Sequence, residues 1–154
     1  MKAQEIFEKL KTKFGAGVEF QDDKLTPVIK VRPDAIQKVA DVLRNTPEFW
    51  FDSLMCLTAV DNAANFTVVY LLFSMKHNHK MTLKVETPKD NPIVPTVENI
   101  WAAADWFERE VYDLFGVKFD GHTNLVRIML PDDWVGHPLR KDYQYPATYR
   151  GLPL

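Results

Sequence analysis

The segment ADWFEREVYDLFG sets Asp105, Arg109 and Asp113 four residues apart. At helical spacing the three share one face, where an arginine can bridge two acids. Glu108 and Glu110 project to other sides of the same turn. One reading is a solvated helix face carrying ion pairs worth a few tenths of a kcal/mol each. The other is a charged surface that docks on a partner or positions a nearby loop. His122 and His137 are the candidate acids, bases or ligands, each following a glycine in a turn-like context. Neither stands near a Ser or Cys in a nucleophile pattern, and the sequence offers no third ligand at metal spacing. His77-Asn78-His79 falls in a polar turn between strand-like runs and reads as exposed. There is no phosphate-binding glycine loop, because Gly15 and Gly17 lead into the β-prone VEF where a helix should begin. Taken alone, these residues offer ionic chemistry and no catalytic constellation.

The totals narrow the function further. Of 154 residues, 46% are hydrophobic and 26% charged, enough for one well-buried core and short for two. A formal net charge of −2 and a pI near 6.1 give no general pull toward nucleic acid. No apolar run approaches the roughly 20 residues that span a bilayer. The N-terminal MKAQEIFEKLKTKFG mixes acids with its lysines and resembles neither a secretory signal nor a transit peptide. The single Cys56 excludes an internal disulfide, a CxxC motif and an iron–sulfur cluster held by this chain alone. Within SLMCLTAV it reads as a buried structural thiol.

Periodicity then places the elements. Ile6, Phe7, Leu10 and Phe14 predict an amphipathic helix over 2–14, ended by Gly15. Val18–Phe20 and Val28–Val31, separated by QDDKL, suggest a hairpin. Pro33-Asp34 opens a second helix with Ala35, Ile36, Val39, Ala40 and Leu43 on its apolar face, and Asn45-Thr46-Pro47 ends it. Three strand-like runs, 50–61, 66–75 and 81–87, joined by NAAN and KHNHK, predict an antiparallel meander. VVYLLF is apolar at nearly every position and predicts a central strand covered on both faces. PKDNPIVP reads as an extended linker. A third helix is expected from near Thr96 to Phe115, with Ile100, Ala104, Phe107, Val111, Leu114 and Phe115 buried and Gly116 as its stop. The short strand VKF follows. The fold class expected is α+β: one domain over 1–130, a mostly antiparallel sheet packed with about three helices, and an extended irregular C-terminal arm over 131–154.

That arm, containing WVGHPLRKDYQYP, carries Trp134, Leu139, Tyr143, Tyr145, Tyr149 and Leu152 without a period that would gather them on one face. Arg140, Lys141 and Asp142 interrupt them. Aromatics and arginine are enriched where interfaces hold their energy, and the arm can wrap either its own domain or another subunit. Physical reasoning leaves the two open.

Glu108-Arg109-Glu110, Tyr112-Asp113, Phe115-Gly116, Phe119, Gly121-His122, Arg127-Ile128 and the run Asp133-Trp134-x-Gly-His-Pro-Leu-Arg-Lys-Asp142 together resemble the signature of the 30-kDa (C-type) subunit family of proton-pumping NADH–quinone oxidoreductase, respiratory complex I. The likeness is strongest over 96–146. Two positions depart from the family pattern: Thr123, where a proline is usual, and Val126, where a basic residue is usual. The chain stops after GLPL, which reads as a compact, separately encoded form.

The resemblance implies a subunit without catalytic centre or cofactor of its own, flavin and iron–sulfur clusters lying in partner subunits. Its implied partners are peripheral-arm subunits, chiefly the D (49-kDa-type) subunit, with the B and I subunits. Its implied place is the cytoplasmic face of the cell membrane, with membrane association only through the complex. The partner-docking or arm-anchoring set is then Glu108, Arg109, Glu110, Asp113, His122, Arg127, His137, Arg140, Lys141 and Asp142. Arg140 and Asp142 are expected to bond across the subunit interface. A membrane-bound hydrogenase or F420-type dehydrogenase complex uses a similar module and is the alternative assembly. A free-standing adaptor, or a small enzyme using His137 and Asp142 as acid and base, are the competing classes.

Overall fold

The computed structural model describes residues 3–21 and 28–153. Beyond Gln21, the QDDKL turn lies outside the described residues. Helix α1 (Ala3–Phe14) buries Ile6, Phe7 and Leu10 and yields at Gly15. Strands β1 (Val18–Gln21) and β2 (Val28–Val31) pair antiparallel, as the hairpin reading requires. Pro33 opens a 3-10 turn that feeds α2 (Ile36–Asn45), whose buried face is Ile36, Val39, Ala40 and Leu43. Proline suits a helix start because its fixed φ and missing N–H cost nothing there. At the other end Thr46 is extended, as a residue before proline must be.

The meander follows as β3 (Ser53–Asp61), β4 (Asn65–Ser74) and β5 (His79–Pro88). The five strands lie in the order β1-β2-β5-β4-β3. Every pairing is antiparallel except β2 with β5, so the sheet is mixed but mostly antiparallel. One face carries Ile29, Leu57, Val68, Tyr70, Leu72 and Leu83, which form a single core with side chains of α1, α2 and the third helix.

Among the described residues the other face is open in large part, although Thr67 and Thr82 are buried there. Along β4, Phe66, Val68, Tyr70 and Leu72 are buried, whereas Val69 is half-buried and Leu71 is 39% exposed. The expectation of two-sided burial for VVYLLF therefore fails. An apolar run reports β-propensity as well as burial, and among the described residues the helices join the core on one face, leaving Leu71 on the second exposed. Cys56, register partner of Leu71, is half-buried on that open face, not sealed in the core.

Two further expectations change. Within the proline-rich linker, β6 (Ile93–Pro95) pairs in parallel with β7 (Lys118–Asp120). Helix α3 runs Ala104–Phe115 and does not begin near Thr96. Residues 97–104 instead make successive turns, with Ile100 and Trp101 N–H donating to the Val97 carbonyl and Ala104 N–H to that of Trp101. The Trp101 indole N–H donates to the Phe51 carbonyl at 2.9 Å, tying those turns to the core. Gly116 ends α3 at φ +78, as expected. The C-terminal segment is irregular apart from a small closing hairpin, β8 (Thr148–Tyr149) with β9 (Leu152–Pro153). Among the described residues no helix is long and apolar enough to cross a membrane.

Leu72→Ala should therefore cost about 2–5 kcal/mol in urea denaturation, and Leu71→Ala about 1 kcal/mol or less. Equal losses would mean that the second face is covered after all.

Candidate functional site

Asp113 occupies the last turn of α3 and is fully buried. Its Oδ2 accepts the backbone N–H groups of Ile128, Met129 and Leu130 at 3.0, 2.7 and 3.0 Å. Its Oδ1 accepts from the Arg127 guanidinium at 2.6 Å. Burial pushes this carboxyl upward, but the N–H groups of Leu130 and Met129, then Arg127 and Ile128, outweigh it and hold Asp113 below the usual carboxylate range. The second Arg127 nitrogen, Nη2, donates to the carbonyls of Trp134 and Gly136 at 3.1 and 2.9 Å. One acid and one arginine thus fold the backbone of 127–136 against the end of α3.

His137 completes the anchor. Its Nδ1 donates to the Asp113 carbonyl at 2.9 Å, and Leu139 N–H donates to the carbonyl of Leu114. The imidazole lies so close to α3 that a Cβ on Gly116 would stand 2.6 Å from its Cδ2. Gly116 is required twice over, by its left-handed backbone and by this contact. Gly136 has the same double role, since a Cβ there would stand 2.7 Å from the Tyr143 ring. Tyr143 in turn accepts from the Trp134 indole and donates to the Val135 carbonyl.

The arm then crosses the end of the sheet. Lys141 contributes its backbone N–H to Asp61 Oδ2 at 2.7 Å, while its side chain is exposed. Arg140 lies over the Phe66 ring, 5.1 Å from its centroid, and pairs with Asp142 at 3.2 Å. Within this chain, then, the two are each other's partners. Asp61, which also pairs with Lys89, is buried at the end of β3. It is an anchor that sequence reasoning missed; the only signal was an acid at an inward-facing strand position.

The charged face of α3 divides. Arg109 does not bridge Asp105 and Asp113; it lies over the Trp106 ring at 4.8 Å and reaches the Val126 carbonyl. Glu110 is exposed. Glu108 is fully buried, which overturns the solvated-face reading for this residue. Its carboxylate accepts the Val97 N–H at 2.8 Å and the Thr96 hydroxyl. The reason was legible: Ala104, Glu108, Val111 and Phe115 share one helical stripe. Burial pushes Glu108 up to about 7; Thr96 and Val97 oppose the shift, and Glu98 and Asp105 add to it.

The fold also brings together what sequence spacing did not. The His122 ring is fully enclosed, with Nε2 3.3 Å from Glu98 Oε2 and from Asp105 Oδ1 and 3.9 Å from Glu108 Oε2. Nε2 also faces the Asp105 carbonyl at 3.3 Å. Glu98, Asp105 and His122 offer ligand atoms within 4.8 Å of one another, a spacing that a cation can bridge. The imidazole points the other way. Asn124 N–H donates to its Nδ1 at 3.0 Å, so the neutral ring carries its proton on Nε2, toward the carboxylates. A metal-bound histidine normally carries its proton on the remote nitrogen and donates it outward.

A groove of about 470 Å³ between α1, α2 and residues 96–100 is lined by Phe14, Val42 and Ile100. Thr96 also lines it, and none of the residues in the predicted set does.

Residues 29–149 match the sequence profile of the respiratory-chain NADH dehydrogenase 30-kDa subunit. The chain belongs to that family. The C-type subunit of NADH-quinone oxidoreductase from Chloroherpeton thalassium is 41% identical over 152 residues, covering 96% of this chain and 63% of the relative. The Mycolicibacterium gilvum protein of the same name is 40% identical over 139 residues, covering 86% and 61%. This member of the 30-kDa subunit family therefore spans less than two thirds of the length of those curated relatives. Among solved structures, a trypsin-resistant fragment of Nqo5 superposes with a TM-score of 0.67 at 26% identity, covering 81% of this chain and all of the fragment. A chain of an archaeal membrane-bound sulfane sulfur reductase superposes with a TM-score of 0.78 at 26% identity, covering 94% and 86%. In this family member the profile takes in both α3 and the segment folded around Asp113.

Asp113→Ala removes the acceptor for three backbone N–H groups and leaves Arg127 unpaired, which should cost about 3–5 kcal/mol in urea denaturation. The wild-type contribution of Asp113 is complete above the ordinary carboxylate range and is lost as pH falls through its depressed folded value. An acid titration in which wild type and variant lose stability in parallel would contradict this role.

Proposed function

We propose that this chain is a non-catalytic subunit of the peripheral arm of a proton-translocating NADH–quinone oxidoreductase, supporting the subunit that forms the quinone site. One observation carries the reading beyond family membership: the C-terminal segment is pinned to α3 yet turns large apolar side chains outward. Val135 is 84% exposed and Leu139 50%, although Arg127 and the α3 carbonyls hold the backbone beside both. On α3 itself Trp106 is 62% exposed, braced by Arg109. Rigid, exposed apolar groups favour a preformed docking surface, because little ordering entropy remains to be lost on association.

The segment thus wraps its own domain with its backbone and offers its side chains to a neighbour. In this proposal the neighbours are the D (49-kDa-type), B and I subunits. Flavin and iron–sulfur clusters reside in other subunits, and the complex lies at the cytoplasmic face of the membrane. Within the predicted set, Asp113, Arg127 and His137 anchor the segment. Arg109, Glu110, Lys141 and Asp142 lie nearer the surface offered to partners. The likeness to the sulfane sulfur reductase chain favours a second reading, the equivalent position in a related membrane-bound respiratory complex. Mass spectrometry of proteins that co-elute with the tagged chain from solubilised membranes separates the two. A flavin-binding NADH subunit supports the first, and a nickel-liganding large subunit supports the second.

Val135→Asp and Leu139→Asp should change the stability of the isolated chain by about 0.5 kcal/mol or less while reducing recovery of the peripheral-arm subunits in that pull-down. Unchanged recovery would remove this surface from the interface.

A further inference from the structure

Glu98, Asp105, Glu108 and His122 come from three separate stretches: the turns after β6, helix α3 and the loop after β7. The His122 ring and the Glu108 carboxyl are fully enclosed, and Glu98 is nearly so. Asp105, 38% exposed, is the member that reaches the surface. Its Oδ1 is itself buried and has no hydrogen-bond donor. Among the described residues no lysine or arginine pairs with any of the four. Several of their contacts tie one stretch to another. Glu108 holds Thr96 and Val97, Glu98 accepts the Thr123 N–H at 2.8 Å, and His122 faces the Asp105 carbonyl.

Three carboxylates around one imidazole, two of them enclosed and none paired with a lysine or arginine among the described residues, cannot all stay ionised at low cost. We infer that Glu98, Asp105, Glu108 and His122 form a buried proton-binding centre, in which one exchangeable proton held among the carboxylates locks α3 to the loops on either side. The imidazole Nε2–H is already given to the Asp105 backbone carbonyl and Nδ1 accepts from Asn124, so the additional proton resides on a carboxyl. Glu108 is the host, because it is the most enclosed of the three and is flanked by the other two. Its affinity for the proton is raised chiefly by burial, with Glu98 and Asp105 adding to it. Tyr70, from β4, faces the same interior with its hydroxyl unpaired and within electrostatic range of Glu108. The centre is independent of the partner assigned to the complex.

The direction of the pH effect follows from linkage. A carboxyl whose folded value is raised stabilises the fold fully below its unfolded value, and that contribution is lost as pH rises through about 7. The test compares the full chain with Glu108→Gln, which mimics the neutral carboxyl, by urea denaturation across this window. Between about pH 5 and about pH 8 the wild-type folding constant should fall on the order of 100-fold relative to the variant. Infrared spectra of the folded wild type at about pH 6 should also contain a protonated-carboxyl band that Glu108→Gln lacks. Parallel stability curves overturn the proposal. So does the absence of that band in the wild type, a result that does not depend on the variant folding. A zinc-dependent rise in melting temperature abolished by Glu98→Gln also overturns it, because the cluster would then be a cation site.

Discussion

The geometry of the C-terminal third depends on one buried carboxylate. Asp113 collects three consecutive backbone N–H groups and an arginine, and that arginine collects two further carbonyls from the same segment. A stretch with no regular secondary structure must place its backbone polar groups somewhere, since leaving them unpaired in a desolvated setting is costly. Here a side-chain pair at the end of a helix takes the place of a strand partner. The segment gains a fixed conformation without forming a sheet, and its apolar side chains remain free to face outward.

Three features that look separate serve the same constraint. Gly116 stops α3 and opens the space that His137 fills. His137 donates to the carbonyl of the residue whose carboxylate holds 128–130. Gly136 gives the turn that lets Tyr143 close beneath Trp134. Beyond these, Asp61 catches the arm as it passes the sheet, and Arg140 lies over Phe66. Backbone anchoring wraps the arm onto its own domain, and the same anchoring leaves Val135 and Leu139 exposed.

α3 carries two kinds of charge, and burial separates them. Glu110 is solvated and Arg109 braces Trp106 at the surface, whereas Glu108 and Asp113 are enclosed and answer opposite demands. Asp113 is surrounded by donors and stays ionised. Glu108 is pushed up to about 7, chiefly by burial, with two further acids nearby adding to the shift. Sequence spacing treats the two as similar helix acids; their neighbours make them opposites.

Much of the fold was legible in the residues. The helical periods of α1 and α2, the hairpin, the meander and the glycine stop of α3 follow from local preferences and alternation, which are properties of short stretches. The paired ERE and GHPLRKD motifs carried the family. The start of α3 was not legible, because Thr96 and Val97 are held by a side chain more than two turns further on, and that contact overrides helix propensity. Nor was the open face of β4, since an apolar run is the same whether one face or two are covered. The acid–histidine cluster was hidden for a related reason: Glu98 and His122 belong to different loops and Asp105 to α3, and only tertiary packing brings their side chains within 4.8 Å of one another. The sequence by itself determined which segments are helix or strand and which family they compose, because those depend on neighbours in the chain. Tertiary structure alone decided which acids are buried and what the arm rests on, because both depend on neighbours in space.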